Sequence, residues 1–212
     1  MSKIKFRFYA IKLSLLIVAV FMAQFLIPAL TNFFVLNRLS WTQPWRFLTS
    51  IFLHGGIAHL VLNLFALLFF GSVLEKFIGS KRFLIVFFTT GILANLVAVN
   101  FYSASLGASG AIFGILGTLI IIRPLMAVWA FGIPMPLFVA GILWAAADLL
   151  GAYGFFTGNP IDNTGNIAHL SGMLFGILFG FFYKKLLVKK RKLNVSLDEN
   201  QIRNWEMTWM KN

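Results

Sequence analysis

The run Leu106–Pro124, LGASGAIFGILGTLIIIRP, decides how this chain is to be read. From Ser109 to Ile122 it carries no charge and is nearly all apolar. At about 1.5 Å of rise per residue, a helix over that stretch falls short of the ~30 Å hydrocarbon core of a bilayer. It stops at Arg123-Pro124. A helix too apolar for water and too short to cross belongs inside a bundle, shielded from lipid by longer helices. A single serine, Ser109, stands at its start among small residues.

The rest of the sequence supplies that bundle. Of 212 residues, 59% are hydrophobic and 11% charged, and the mean hydropathy of +0.86 lies far outside the range of a soluble domain. Apolar runs of spanning length occur at about Leu13–Leu30, Ala58–Ile78, Phe83–Phe101 and Asn166–Leu187. A fifth begins amid Pro124, Pro134 and Pro136, with regular helix from about Leu137 to Ala152. With Ser109–Ile122 this makes an all-α, polytopic bundle of six spans over residues 1–187, followed by a basic, Trp-containing tail over 188–212. The tail, with Trp205, Met207, Trp209 and Met210, reads equally as a short amphipathic helix on the inner surface or as a disordered segment. The basic, apolar N-terminus is long and lacks a clear small-residue cleavage site before Pro28, so it is read as a retained first span and not as a signal peptide.

A net charge of +12 raises the possibility of a nucleic-acid partner. The cations, however, sit at span ends and in the tail and make no aromatic-interleaved patch, which argues against one. With a cytoplasmic N-terminus, all the Lys and Arg residues except Arg38 and Arg46 fall in inner segments, as the positive-inside rule requires. An even number of spans then puts both termini in the cytoplasm. The long outer segment Thr31–Ile57, with Trp41, Trp45 and Arg46, is expected in the outer interface, its tryptophans at headgroup level and its arginine reaching headgroups. The absence of cysteine excludes disulfides, thiolate metal sites and a thiol nucleophile.

Orientation narrows the search for chemistry. Spans two, four and six all enter from the outer side, so His59 and Asn63, Ser109, and His169 lie at similar depth. A serine hydroxyl is a poor nucleophile without a base within about 2.6–3.2 Å, and His169 is the natural partner. Free N–H groups at a helix start favour a developing oxyanion, and His59 and Asn63 add side-chain donors. Gly110, Gly114 and Gly117 on span four, and Gly172, Gly176 and Gly180 on span six, form small-residue faces that let the two helices approach. Read alone, those glycines need only pack helices. Asp148 and Asp162 both lie towards the outside and either could orient His169, but neither has a telling spacing, so a Ser–His dyad is preferred. Glu75, near the inner end of span two, is read as structural, hydrogen-bonding a loop or snorkelling to water.

Several separate motifs, in order, resemble the rhomboid family of intramembrane serine proteases over roughly Trp45 to Gly180. Trp45-Arg46 is similar to its WR pair, and His54, His59 and Asn63 in HGGIAHLVLN to its His/Asn signature. Gly71, Glu75 and Gly79 match GxxxExxxG; Gly107, Ser109 and Gly110 match GxSG; and Ala168, His169, Gly172 and Gly176 match AHxxGxxxG. The resemblance implies Ser109 as nucleophile, His169 as general base, and the Ser109 backbone with His59 and Asn63 around the oxyanion. It implies no metal or cofactor, a water-filled pocket opening outward, and as partners the bilayer and membrane proteins whose spans are cut near their outer ends. The compact six-span form points to a prokaryotic cytoplasmic membrane. Two other readings compete: a catalytically inactive rhomboid-like factor that binds membrane proteins, and a small transporter moving protons through His169 and Glu75. Oligomeric state and natural substrate leave no signature in the chain.

Overall fold

The computed structural model describes residues 6–159, 161, 164–193 and 198–210. Asp162 lies outside them. Among the described residues five helices are long and apolar enough to cross a membrane: α1 (Tyr9–Leu26), a second span comprising α4 (Ile57–Ala66), a π-helical turn (Leu67–Gly71) and α5 (Ser72–Ile78), then α6 (Ser80–Ala98), α8 (Leu137–Phe156) and the Asn166–Leu187 part of α9 (Asn166–Leu193). The shorter apolar helix is α7 (Ser109–Ile122). The outer segment between the first two spans holds α2 (Ala29–Phe34), α3 (Arg46–Thr49) and a two-residue strand β1 (Leu36–Asn37). β1 pairs antiparallel with β2 (Ala104–Ser105) just before α7. The architecture is therefore an all-α polytopic bundle.

Helix α7 is its axis. Every residue from Gly110 to Leu119 except Phe113 is buried, so little of this short helix needs a lipid-facing surface. It is held by close backbone contact with α9, where the small residues fall in parallel register. A methyl group at Gly172 would land on the carbonyl of Gly110, and one at Gly176 on the carbonyl of Gly114. The Thr118 hydroxyl lies 2.9 Å from the carbonyl oxygens of both Gly114 and Gly176, adding a polar link across the same seam. On the other side, a methyl at Gly110 would meet Ala94 of α6 and one at Gly114 would meet Thr90. With apolar lipid on one side and apolar side chains on the other, helices gain most from close van der Waals packing, which small residues permit.

The end where α5 turns into α6 is closed by one carboxylate. α1 begins after Phe8 with no side-chain cap of its own. Glu75, fully buried, accepts instead from the backbone N–H groups of Arg7, Tyr9 and Ala10 at 3.1–3.2 Å and from Ser80 Oγ at 2.5 Å. It supplies in trans what an N-cap supplies locally. Gly79, at φ 87°, makes the tight turn that places Ser80 there.

At the opposite end the outer segment is folded in on itself. Arg46 does not reach outward to headgroups as its sequence context suggested. It is buried, and its guanidinium donates to the carbonyls of Asn32 and Val35 at 2.9 and 2.8 Å and to Gln43 Oε1 at 2.7 Å. The loop's irregular backbone has carbonyls to satisfy, and Arg46 satisfies them. Trp45 stays partly exposed and stacks on Phe33 at 6.0 Å. The loop ends at His54, whose backbone is clamped by Gln24 of α1: His54 N donates to Oε1 at 3.0 Å, and Nε2 donates back to the His54 carbonyl at 3.3 Å.

Several span boundaries differ from the sequence reading, and α6 runs from Ser80 to Ala98 where the apolar run marked Phe83–Phe101. α1 begins at Tyr9 and ends at Leu26, ahead of Pro28, and α8 continues to Phe156. The proline-rich stretch before α8 is a hairpin, β3 (Ala127–Ala130) and β4 (Ile133–Pro136), turned by Phe131 and Gly132 at φ 54° and 81°. Left-handed backbone at both central positions matches the twist of the two strands. In the tail, α10 (Glu199–Trp209) is helical and exposed throughout, its start capped by Asp198.

Because the α7–α9 contact leaves no room for a side chain, Gly172→Ala or Gly176→Ala is expected to cost roughly 3 kcal/mol or more. The readout is the thermal midpoint in detergent, with Gly56→Ala, where a methyl meets nothing, shifting stability by less than about 0.5 kcal/mol. A second expectation concerns acid. Burial, and then the nearby His59, hold His54 down to about 4 from the ordinary 6.5. The unfolded chain takes up this proton first as pH falls, so the contribution is fully present above about 6.5 and is lost on the way down to 4. His54→Asn should remove roughly 2–3 kcal/mol of the stability lost between about pH 7 and about pH 4.5, seen as a flatter dependence of thermal midpoint on pH.

Candidate active site

The starts of α4, α7 and α9 converge at the end of the bundle away from Glu75, around a cavity of about 1420 Å³. His59, Asn63, Gly107, Ser109, Gly110 and His169 all line it. Of the other residues singled out in the sequence, His54 lies just behind, its ring centroid 5.0 Å from that of His59. Trp45 and Arg46 belong to the outer loop, Gly172 and Gly176 to the α7–α9 seam, and Gly71, Glu75 and Gly79 to the far end.

Ser109 is the first residue of α7, and no side chain caps this helix start. Its first-turn N–H groups are therefore free to meet a ligand atom bearing negative charge. The approach to the serine is shaped by Gly107, at φ 125°, a conformation that L side chains rarely adopt. A side chain there would also strike His59, whose ring atoms lie 2.7 and 2.8 Å from where a Cβ would sit, with Ser109 Oγ 3.8 Å from the same point. The missing side chain is what brings the His59 ring and the serine hydroxyl to one spot.

The Gly107 turn is pinned by polar contacts from elements distant in sequence. Gly107 N donates to the Ser50 carbonyl at 2.9 Å. Asn95 of α6 donates to the Phe47 carbonyl at 2.8 Å and to Ser50 Oγ at 3.0 Å, while Ser50 Oγ donates to the Arg46 carbonyl at 2.7 Å. Arg46, Ser50 and Asn95 thus fasten the loop that carries the serine. Only Arg46 was visible as a motif; a lone Asn in the apolar run of α6 was the available signal for Asn95.

Asn63 Nδ2 donates to the His59 carbonyl at 2.8 Å, which fixes the amide and leaves a second N–H on the same nitrogen. His169 sits in the first turn of α9, its backbone N–H bonded to the Gly165 carbonyl at 2.9 Å. Its ring lies flat against Phe113, centroids 4.3 Å apart and planes within 7°. Phe113 is one turn below Ser109 on α7, so one helix supplies both the serine and the surface on which the imidazole rests. His169 Nδ1 is 3.0 Å from Asp148 Oδ1 of α8, a contact the spacing of Asp148 did not disclose.

Among the described residues Ser109 Oγ makes no hydrogen bond; serine and imidazole face the same cavity without touching. Sites without substrate are commonly looser than in the complex, so this geometry is compatible with proton transfer once a substrate is held. Among the described residues no three His, Asp or Glu side chains converge as a metal site. The arrangement joins a hydroxyl at a helix start, an imidazole across from it, and N–H donors around the space between. Those are the parts that acyl transfer requires.

The rhomboid domain family matches this chain over residues 41–186. Rhomboid protease GluP of Bacillus subtilis is 38% identical over 153 residues, 68% of this chain and 28% of that protein. Rhomboid protein 1, mitochondrial, of Saccharomyces cerevisiae is 28% identical over 176 residues, 77% of this chain and 49% of that protein. Rhomboid-like protease 3 of Toxoplasma gondii is 33% identical over 161 residues, 74% of this chain and 55% of that protein. The chain thus spans about half or less of the length of these relatives. With the domain matched over well above half of its residues, this membrane protein belongs to the rhomboid family.

Proposed function

We propose that the chain is an intramembrane serine endopeptidase that cuts the transmembrane segments of other membrane proteins near their outer ends. The observation that carries this reading is the meeting of Ser109 and His169, from two helices locked in register by their glycines, in one cavity at the start of the buried helix. The family membership supports it, as does the name of the bacterial relative. A serine at the start of a short, buried helix sits below the outer surface, where the cavity admits the water that hydrolysis consumes.

In the mechanism, Ser109 Oγ attacks the scissile carbonyl carbon as its proton passes to His169 Nε2. The carbonyl oxygen gains the charge and is met by the Ser109 backbone N–H, His59 and the free N–H of Asn63. The C–N bond then breaks, with the proton on Nε2 moving to the leaving nitrogen, and an acyl-serine remains. Water, losing a proton to the same imidazole, attacks the acyl carbon and frees Ser109. His54, Gly107 and Gly110 shape the site, and Trp45, Arg46, Gly71, Glu75, Gly79, Gly172 and Gly176 hold the fold around it. Residues 1–187 act as the protease unit and 188–212 as a cytoplasmic tail. The positive-inside distribution supports cytoplasmic termini and a cavity opening to the extracytoplasmic side, and the compact six-span form is the ground for placing the chain in a prokaryotic cytoplasmic membrane.

The test is cleavage of a single-span substrate by the purified chain in lipid vesicles. Ser109→Ala and His169→Ala should each lower turnover by roughly 10³-fold or more, with thermal midpoints near that of the parent. Cleavage by Ser109→Ala at the parent rate would sink the mechanism. A folded parent that neither cleaves any of several substrates nor reacts at Ser109 with a fluorophosphonate would instead favour an inactive membrane-protein-binding factor.

A further inference from the structure

We propose that Asp148 is a positioning residue for the reaction: it holds the His169 imidazole in the tautomer and orientation that general-base catalysis needs, so the pair works as a triad. The proposal rests on the protease reading above.

An aspartate within a membrane-spanning helix is costly unless it is paired or faces a polar cavity. Asp148 lies in the apolar helix α8 and is 6% exposed. Its Oδ1 is 3.0 Å from His169 Nδ1, and its Oδ2 has no partner among the described residues. His169 is thus the only group among the described residues on which this carboxyl is spent. The encounter is built into the packing of α8 on α9. A methyl at Gly151 would strike the side chain of Asn166, so the helices cross closely at that level. The two run antiparallel, which brings Asp148, three residues before Gly151, level with His169, three residues after Asn166.

The consequences follow from donor and acceptor inventories. An ionised carboxylate only accepts, so Nδ1 carries the hydrogen and Nε2 keeps its lone pair. Phe113, stacked at 4.3 Å, fixes the plane of the ring. A base held in plane by one contact and in tautomer by another has less to reorganise when substrate brings the Ser109 hydroxyl to it. As the Ser109 proton moves to Nε2, the imidazolium that forms has a carboxylate already in place, and the proton stays on the histidine until it passes to the leaving nitrogen. The charged groups facing His169 are Asp148 from α8 and, when protonated, His59 from α4.

Two variants separate this role from a structural one. Asp148→Asn keeps the shape but removes the charge and puts an NH2 donor in place of one carboxylate oxygen, so the tautomer of His169 is no longer enforced. Asp148→Leu removes the acceptor as well and leaves His169 Nδ1 without its partner, so a loss of stability is expected of it beside the loss of rate. The full chain in lipid vesicles is assayed for kcat and KM on a single-span substrate, for the rate of fluorophosphonate labelling at Ser109, and for thermal midpoint. Both variants are expected to lower kcat and labelling rate roughly 100-fold or more, with KM within about threefold and the Asp148→Asn thermal midpoint near the parent's. An Asp148→Leu variant that turns over within about threefold of the parent overturns the proposal and leaves the protease reading intact. So does a loss confined to KM, or a fall in the kcat of Asp148→Asn matched by a falling midpoint. Should the Leu variant fail to fold, Asp148→Asn decides alone, and parental kcat in it overturns the proposal. A folded parent that neither cleaves nor labels overturns both readings.

Discussion

Two helix backbones in direct contact set the geometry of this protein. Along the seam between α7 and α9 the carbonyls of Gly110 and Gly114 occupy the space that methyl groups on Gly172 and Gly176 would need. Packing this close tolerates no slippage: a shift of one residue would bring larger side chains, such as Met173 or Ile177, against the backbone of the facing helix. Register along the seam therefore fixes the relative depth of Ser109, immediately before Gly110, and His169, three residues before Gly172. A bilayer exerts little sorting force on apolar faces, because lipid and leucine are equally good surroundings. Steric exclusion supplies the specificity that hydrophobic burial supplies in water.

Much of this was legible in the sequence. Hydropathy reports where backbone must be helical to survive in lipid, so the spans, and the anomalous shortness of α7, could be read directly. Glycines at intervals of three and four report close approach, and they pointed to the partner of α7 correctly. What could not be read was how polar side chains would be spent. Arg46 resembles an interfacial arginine in a tryptophan-rich loop, yet it folds inward because loop carbonyls at Asn32 and Val35 offer it better partners than headgroups. Asp148 has no spacing that links it to His169, since the link runs across a helix crossing set by Gly151 and Asn166. The β3–β4 hairpin hid behind its prolines, which read as an ill-defined helix start. In each case the deciding contact joins residues that no local periodicity relates.

The polar groups divide by the end of the bundle they occupy. At the α5–α6 turn they are saturated: Glu75 accepts from three backbone N–H groups and one hydroxyl, which leaves it little capacity for anything else. A carboxylate so engaged does the work of a cap and makes a poor proton carrier, which weighs against the transporter reading. At the opposite end the balance reverses. The three buried side-chain atoms without a partner among the described residues are His54 Nε2, Asn63 Oδ1 and Asp148 Oδ2. All three belong to residues that line the cavity or touch a residue that does. Buried polar groups are almost always paired, and leaving one unpaired costs on the order of 1–3 kcal/mol. Among the described residues these atoms gather around one cavity, where water or a substrate group can pair with them. Stability alone would favour apolar residues at those positions. Under the proposed protease function, a site that meets a developing charge and holds water favours the groups that are there.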